Sequence, residues 1–600
     1  MKNILTGLLG SAALIATTTP LHAEQQDAII VTATRTAQTA DESLASVTVL
    51  TEADIQRSQA NSLQDLLSGY AGMNFVNNGG VGKATSLHMR GTNSNHVIIL
   101  IDGIKIGSAT NGNLPIQDIS ISQIERIEIV RGPRSSLYGS EAIGGVIQIF
   151  TKKGGSKGTA NISIGTGSYE TNTATAGIAG GNDKTAYQIQ ASHFETAGFN
   201  AQDDKNPDDD GYTNDSLSIN FNHKFSNSAE WSINLLHNEG NNEYDGFSKT
   251  KTYESDFFQQ TIGTSLKLKP TSNWQTVLTL GQNRDESDNL TENVLNSRFD
   301  TKRKQALWQN DLNFGQNNLF TVGVDFTKEE IDSSTVFTTE DRENTGIFLQ
   351  HQWLGQDNDL LYGLRQDNNQ AFGKHETGNI AWGHKLSGNM RLILSYGSAF
   401  KAPSFNDLYF PGPYGAGNPN LKPEESETYE AILRGQQWEI SAYHTKIKNL
   451  IVWQETSTFF YEPFNVDDAS IQGIDISGKH LMANWQHSLD ISLIDPRNDK
   501  TDKILPRRSR KSIRLSTDRI NNDFQYGAEL IGYGERYDDA DNKNRMSGYW
   551  LMNLHSSYQL NKSWAVKAKL ENAMDQDYET AKGYNQAGLS MFASINYQGF

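Results

Sequence analysis

The sequence predicts an all-β transmembrane barrel of about twenty antiparallel strands, with an N-terminal α+β plug domain inside the lumen. Three observations carry this. From about Lys157 onward apolar and polar residues alternate with period two, and after the N-terminus no apolar run reaches the ~20 residues that a membrane-spanning helix needs. The composition, 36% hydrophobic and 10% aromatic with 52 Gly and 13 Pro in 600 residues, suits polar loops and a polar lumen behind a thin apolar band. Residues 24 to about 154 instead show a helix signal and continuous apolar runs, which mark a separate small domain. A large secreted all-β protein is the alternative that shares this composition.

The first residues set the compartment. Met1–Asn3 is a short basic segment, Ile4–Ala16 an apolar stretch of export-signal length, and Thr17–Ala23 a small-residue approach to a cut after Ala23. Leu21 occupies a position where a small residue is usual, so the cut is placed only to within a few residues. Residues 1–23 are therefore expected to be a leader and the chain to be exported. The chain has no Cys, which suits passage through an oxidising periplasm and removes thiolate catalysis and thiolate metal sites. A net charge of −18 argues against a nucleic-acid partner, because phosphate binding relies on clustered Lys and Arg.

Residues 24–45 read as an extended leading segment and linker. Within Asp27, Ala28, Ile29, Ile30, Val31, Thr32 and Ala33, the β-branched run from Ile29 to Thr32 is too short for a hairpin of its own. It is suited to adding a strand to a partner's sheet edge; the alternative is the first strand of the plug. Residues 46–154 form the expected plug. Val47–Leu50 is a strand, and Thr51–Tyr70 a helix with Thr51 as N-cap, Asp54 three residues on, and Ile55, Leu63, Leu66 and Leu67 as its apolar face. Val97–Ile101 is a strand buried on both faces with Asp102–Gly103 as its turn. Ile124, Ile127, Ile129 and Val130 give the next strand, and Gly144–Phe150 closes the sheet. The Gly-rich stretch at Gly139–Gly145 lacks the Gly-Lys-Ser/Thr ending of a phosphate loop. Segments Asn74–Ser86 and Gly107–Pro115, rich in Asn and Gly, are expected at the apex. They supply the ligand candidates Asn74, Asn77, Asn78, Ser86, Asn111 and Asn113.

The barrel is expected over residues 155–600. Leu217, Ile219, Phe221, His223 and Phe225 alternate with Ser218, Asn220, Asn222 and Lys224; Trp564, Val566, Ala568 and Leu570 alternate with Ala565, Lys567, Lys569 and Glu571. One lipid-facing and one lumen-facing row per strand is what a closed barrel requires, and one this large leaves a lumen that needs filling. The terminal Phe600 follows Tyr597 at an odd spacing, so a bulge or offset is expected in the last strand. Barrel loops add Phe247, Tyr253 and Tyr409 as aromatic ligand candidates. Asn200, Asp203, Asp208 and Asp210, with Glu239 and Asp245 beyond, cluster hard oxygen ligands suited to calcium. The spacing is not that of an EF-hand, and a solvated acidic loop is the alternative.

At DAIIVTATR (Asp27–Arg35), RGTNSNHVIILIDG (Arg90–Gly103) and ERIEIVRGPRSSLYGSEAIGGVIQIFTKKG (Glu125–Gly154) the chain resembles the TonB-dependent outer-membrane receptors. RGTNSNHVIILIDG and RGPRSSLYGSEAIGG look most like the cobalamin transporters among them. The resemblance continues through LYFPGPYGAGNPNLKPEESETYE (Leu408–Glu430), NVDDASIQGIDI (Asn465–Ile476) and DQDYETAKGYNQAG (Asp575–Gly588). It implies twenty-two strands, a Gram-negative outer-membrane location, contact with outer-membrane lipid, a monomer, and a TonB box at Asp27–Ala33 that pairs with the periplasmic TonB protein. It also implies ion pairs from Arg90, Arg131 and Arg134 to glutamates on the inner barrel wall, cobalamin or a related corrinoid as ligand, and calcium ordering the acidic hairpin. Asn200 and Glu239 stand where that pattern usually has Asp.

Active transport is thus the expected function. A receptor for a ferric siderophore or haem is the alternative within the class, and a passive porin lacks a plug and coupling segment. Enzymatic activity is not expected, because the His residues have no recognisable catalytic spacing.

Overall fold

The computed structural model describes residues 30–31, 38–39, 42–412, 414–521 and 523–599. The expected leader at 1–23, the coupling-box residues Asp27, Ala28, Ile29, Thr32 and Ala33, and Phe600 lie outside them. Ile30 and Val31 pair antiparallel with Thr39 and Gln38. The run expected to be too short for its own hairpin therefore pairs back on the chain over two positions.

The plug is built on a five-stranded sheet in the order Val47–Leu50, Ile124–Arg131, Gly145–Thr151, Val97–Ile101, Ile104–Lys105. Gly145–Thr151 was expected to close this sheet. It lies in the middle instead, antiparallel to Ile124–Arg131 and parallel to Val97–Ile101, because its Val146, Ile147 and Ile149 are buried between two neighbours. Asp102 and Gly103 turn the expected hairpin at φ 47° and 87°, both in the left-handed region that such a two-residue turn requires. The helix expected over Thr51–Tyr70 is two helices, Glu52–Ser58 and Leu63–Leu67. The first starts at the predicted Thr51–Asp54 capping box and ends at Gln59 with φ 49°; the second has its own N-cap, Ser62, whose hydroxyl accepts from Asp65 N. Ile55, Leu63, Leu66 and Leu67 still share one core with Leu50, Ile127, Ile129, Ile147 and Ile149. A separate two-stranded sheet, Met73–Asn77 with Thr85–Met89, carries the loop 78–84.

Around the plug stands a closed barrel of 22 strands, each antiparallel to its neighbours. It runs from Thr159–Gly167 to Ser590–Gly599, and these two pair to close the ring. Pairing of Ser590–Gly599 is continuous with both neighbours, so the expected bulge is not needed among the described residues. The alternation holds as read: Ser216, Ser218 and Asn220 are buried towards the plug while Phe225 is 60% exposed, and Lys569 is buried while Trp564 and Val566 face outward. Exposed Ile162, Ile164, Ile178 and Leu364 contribute to the apolar band that meets lipid tails. Trp274, Trp353, Trp438 and Trp564, all partly exposed, lie at the strand ends joined by short turns, the aromatic girdle of that interface. The opposite end carries the long connections 402–423, 534–548 and 572–589 and is the extracellular side. No helix is long and apolar enough to cross a membrane among the described residues.

Candidate functional site

Two plug loops reach the extracellular end, and each is held by a different part of the barrel. Loop 78–84 is organised by Asn77, whose Oδ1 accepts from Gly79 N at 3.0 Å and Gly80 N at 2.6 Å and whose Nδ2 donates to Gly80 O and Thr85 Oγ1. Barrel residues then clamp it: Thr580 exchanges hydrogen bonds with the Asn77 backbone, both at 2.8 Å. Gly82, at φ 79°, lies so close to the Tyr212 ring that a Cβ would collide with it, which is why only glycine suits this position.

The second loop, Gly107–Pro115, meets the short barrel helix Phe405–Tyr409. Phe405 N donates to Ala109 O at 3.3 Å and Asn406 N to Thr110 O at 2.7 Å. Ala109 shares an apolar cluster with Ile331, Phe337 and Phe405, flanked by Phe299, Tyr409 and Phe410, and Trp453 stands 6.1 Å from Phe410, ring to ring. Asn111 and Asn113 project from the tip and are exposed. This junction combines neutral hydrogen-bonding groups at the tip with an aromatic wall, resting on Arg303, which donates to Gly107 O at 3.0 Å, and Arg342, which lies over the Phe405 ring, both paired with Glu329.

The predicted ligand residues divide accordingly. Asn111, Asn113 and Tyr409 come together at the second loop. Asn77 is buried as the organiser of the first, and Asn74 is buried in strand Met73–Asn77, donating to Arg507 O at 3.1 Å. Asn78 and Ser86 are partly exposed around the first loop. Phe247 is fully exposed on the connection that also carries Asp245, and Tyr253 faces Tyr244 at 6.0 Å. Phe337, Phe405, Phe410 and Trp453 were missed. The aromatic run at Leu408–Tyr414 was the available signal, but its docking partner is a loop almost three hundred positions earlier.

The acidic hairpin folds onto the first loop. Asp210 Oδ2 accepts from Ala201 N and Asp245 Oδ2 from Gln202 N, each at 2.8 Å, so carboxylates from two extracellular connections converge on one turn. Asn200 Oδ1 accepts from Gln202 N at 3.1 Å, Asp203 is held by Asn585 at 2.8 Å, and Asp208 accepts from Asn206 at 2.7 Å. Burial raises the Asp245 carboxyl, and its Oδ1 is buried without a hydrogen bond among the described residues. Glu239 is not part of this group: it follows the outward row with Ile233, exposed beside His237 at 3.3 Å. Lys83 of the plug reaches the hairpin, Nζ donating to Gly211 O and Asn242 Oδ1 at 2.9 Å each. Burial pushes its ammonium down to about 8, partly offset by Asp210, Glu243 and Asp118.

Plug and wall are joined by buried charge. Arg90 donates to Glu430 at 2.8 Å and Asp475 at 2.9 Å. Arg131 instead serves the plug itself, donating to Ala71 O and Thr48 Oγ1, and Arg134 donates to Arg131 O at 3.4 Å; among the described residues the expected wall pairing is thus direct for Arg90 alone of the three. His96 meets Glu424 at 3.1 Å. His88 is buried against Thr92 O at 2.9 Å, and burial, with Arg508 nearby, pushes its imidazole down towards the neutral form.

A 22-strand barrel filled by its own N-terminal domain, with apical loops clamped at the extracellular mouth, defines a plugged outer-membrane transporter. Comparison with known proteins gives the family. The model described as TonB dependent receptor-like, beta-barrel, matches residues 152–573, and that of the TonB-dependent Receptor Plug Domain matches residues 39–146. A vitamin B12 transporter BtuB of Photobacterium profundum is 30% identical over 610 residues, covering 100% of both chains. Among solved structures, the siderophore receptor PirA from Acinetobacter baumannii superimposes with TM-score 0.80 at 17% identity, over 92% of this chain and 98% of its own. The copper transporter OprC gives TM-score 0.78 at 16% identity, over 92% and 98%. The chain belongs to the TonB-dependent receptors, transporters of the Gram-negative outer membrane and not enzymes.

Proposed function

We propose that this receptor takes up cobalamin or a related corrinoid. The observation that carries the reading is the end-to-end similarity, at 30% identity, to a vitamin B12 transporter; the siderophore and copper proteins, at 17% and 16% identity, share the fold alone. The apical junction supports it. Asn111, Asn113, Tyr409 and the aromatic wall offer neutral hydrogen bonds and ring surface to a large uncharged ligand, whereas an anionic ferric chelate calls for clustered positive charge, and Arg303 and Arg342 beneath the junction are buried and paired with Glu329. Haem is disfavoured as well, since His88 is buried against Thr92 O inside the plug and His96 is buried against Glu424 of the barrel wall. The coupling segment at Asp27–Ala33 would present itself to TonB, and force from the inner membrane would open a path past the plug.

Calcium belongs to the same proposal. The buried Asp245 Oδ1, which has no hydrogen-bond partner among the described residues, lies beside Asp208 and Asp210 and fits a hard cation. No three carboxylates stand at ligand spacing among the described residues, so the ion would draw the two connections together. Asn200, Asp203, Asp208, Asp210 and Asp245 are the residues that would hold it.

Titrating the purified protein with cyanocobalamin, and in parallel with ferric enterobactin, with and without calcium, tests the reading. Saturable corrinoid binding strengthened by calcium is expected. Tight siderophore binding without corrinoid binding would overturn the ligand and leave the transporter family untouched.

A further inference from the structure

The plug sheet begins at one edge with Val47–Leu50 and ends at the other with the two-residue strand Ile104–Lys105. An edge strand leaves backbone groups without a neighbour, and here the barrel supplies one. Gln305 Nε2 donates to Lys105 O at 2.8 Å, and Lys105 N donates back to Gln305 Oε1 at 3.2 Å. One side-chain carboxamide, both donor and acceptor, thus pairs with Lys105 as a further strand would.

Beside Gln305 the wall is cut back to bare backbone. Gly263, Gly281 and Gln305 stand directly opposite one another on three neighbouring strands, Tyr253–Thr271, Trp274–Thr291 and Val294–Phe314. Ile104, 1% exposed, fills the notch that the two glycines leave. A Cβ at Gly281 would collide with Ile104 Cδ1, its three nearest atoms all belonging to Ile104, and a Cβ at Gly263 would lie 3.1 Å from Ile104 Cγ1. Glycine in a strand interior weakens the strand and marks a close approach; the approach here is that of the plug. The Lys105 ammonium pairs with Glu141 of the plug at 3.0 Å, so the ledge itself holds the strand by shape and neutral hydrogen bonds.

Two residues beyond Lys105 the apical loop Gly107–Pro115 begins. The barrel also grips this loop further on: Arg303 donates to Gly107 O, Asn406 N to Thr110 O, and Thr110 Oγ1 lies 3.1 Å from Thr301 Oγ1. A loop held only there would tilt about that line of contacts. The ledge adds a second attachment, at the strand from which the loop springs.

We propose that Gly263, Gly281 and Gln305 are positioning residues for ligand capture. By fixing Ile104–Lys105 in one place on the wall, they set the height and tilt at which Asn111 and Asn113 are presented at the mouth. The inference rests on the reading of Gly107–Pro115 as a ligand-binding loop.

The chain has no Cys, so a spin label on Asn113→Cys in the purified, ligand-free receptor reports the loop without background and without ligand. Gly281→Ala should increase the motion of the label. In receptors that keep Asn113, the same substitution should weaken cyanocobalamin binding about tenfold, the scale of one misfitted methyl in a packed contact. Adding Ile104→Ala removes the collision and should return both label motion and affinity towards the parent, a recovery that a general loss of fold would not show. Gln305→Met keeps the side-chain length and removes both hydrogen bonds, so it serves if the glycine variant does not fold. Label motion unchanged in both Gly281→Ala and Gln305→Met overturns the proposal, whatever the ligand. A binding loss that Ile104→Ala does not relieve overturns it too. If the parent binds no cyanocobalamin, the corrinoid reading fails by itself; the label still decides the positioning, and ferric enterobactin replaces cyanocobalamin in the binding comparison.

Discussion

Arg90 of the plug donates from Nη2 to Glu430 Oε1 on the barrel wall at 2.8 Å, both side chains being 4% exposed. The same guanidinium bonds Asp475 through Nε and Ser441 through Nη2, and its plane lies 4.2 Å from the Tyr443 ring centre. A cation so enclosed has no water to fall back on, so the pair fixes where the plug sits.

Removing one partner leaves the other charge buried, at about 3–5 kcal/mol. Glu430→Gln should therefore loosen the plug without unfolding the barrel, and cells carrying it should admit a bulky antibiotic that the parent excludes. Unchanged permeability together with an unchanged thermal midpoint in detergent would remove the pair from plug seating.

Coupling is tested at the paired segment. Ile30→Pro removes an amide donor and disfavours strand addition, so uptake of cyanocobalamin should be lost while surface binding persists. Normal uptake in this variant would exclude the segment from energy transfer.

The two apical loops make opposite forecasts. Asn111→Ala with Asn113→Ala should weaken ligand binding by about 1–3 kcal/mol and leave the fold unchanged, because both residues are exposed at the tip. Asn77→Ala should instead lower thermal stability, since Asn77 holds loop 78–84 together. A binding loss confined to Asn77→Ala would show that the ligand sits elsewhere.

Calcium should tighten ligand binding by a coupling of about 1–3 kcal/mol, an effect lost in Asp208→Ala with Asp210→Ala. Calorimetry of the unmodified protein with EDTA and with millimolar calcium decides this, equal affinities counting against the ion.

Asp118 gives a pH signature. Its carboxyl is buried among Gln117, Tyr212 and Gln259, and burial, with Asp285 nearby, pushes it up to about 8. A raised carboxyl binds its proton more tightly in the folded state, so its contribution is full below about 4 and fades as pH rises towards 8, by up to about 1.4 kcal/mol per unit. Asp118→Asn should match the parent near pH 4 and melt higher than it at pH 8–9. A constant difference across the range would show that Asp118 does not titrate there.

Much of the architecture was legible because it is written locally. Period-two alternation from Leu217 to Phe225, the Thr51–Asp54 capping box and the Asp102–Gly103 turn each depend on residues a few positions apart, and each formed as read. Misreadings came where a local signal had a competitor. The second cap at Ser62 split one expected helix into two, and Gly145–Thr151 looked like an edge because the sequence does not say that a parallel neighbour at Val97–Ile101 will cover it.

By itself, the sequence determined the class of protein: a barrel from its alternation, a plug from the change of pattern before Lys157, and a family from its motifs. Only the tertiary structure decided which candidates meet. Asn111 and Asn113 join Phe405–Tyr409, Asn77 turns inward to hold its own loop, Glu239 faces outward, and Arg90 finds Glu430 across more than three hundred residues. The physical reason is range. Periodicity, capping and turn conformation are set by neighbours along the chain, whereas ring closure and plug docking depend on strand order and register, which the chain fixes only when all its strands have paired.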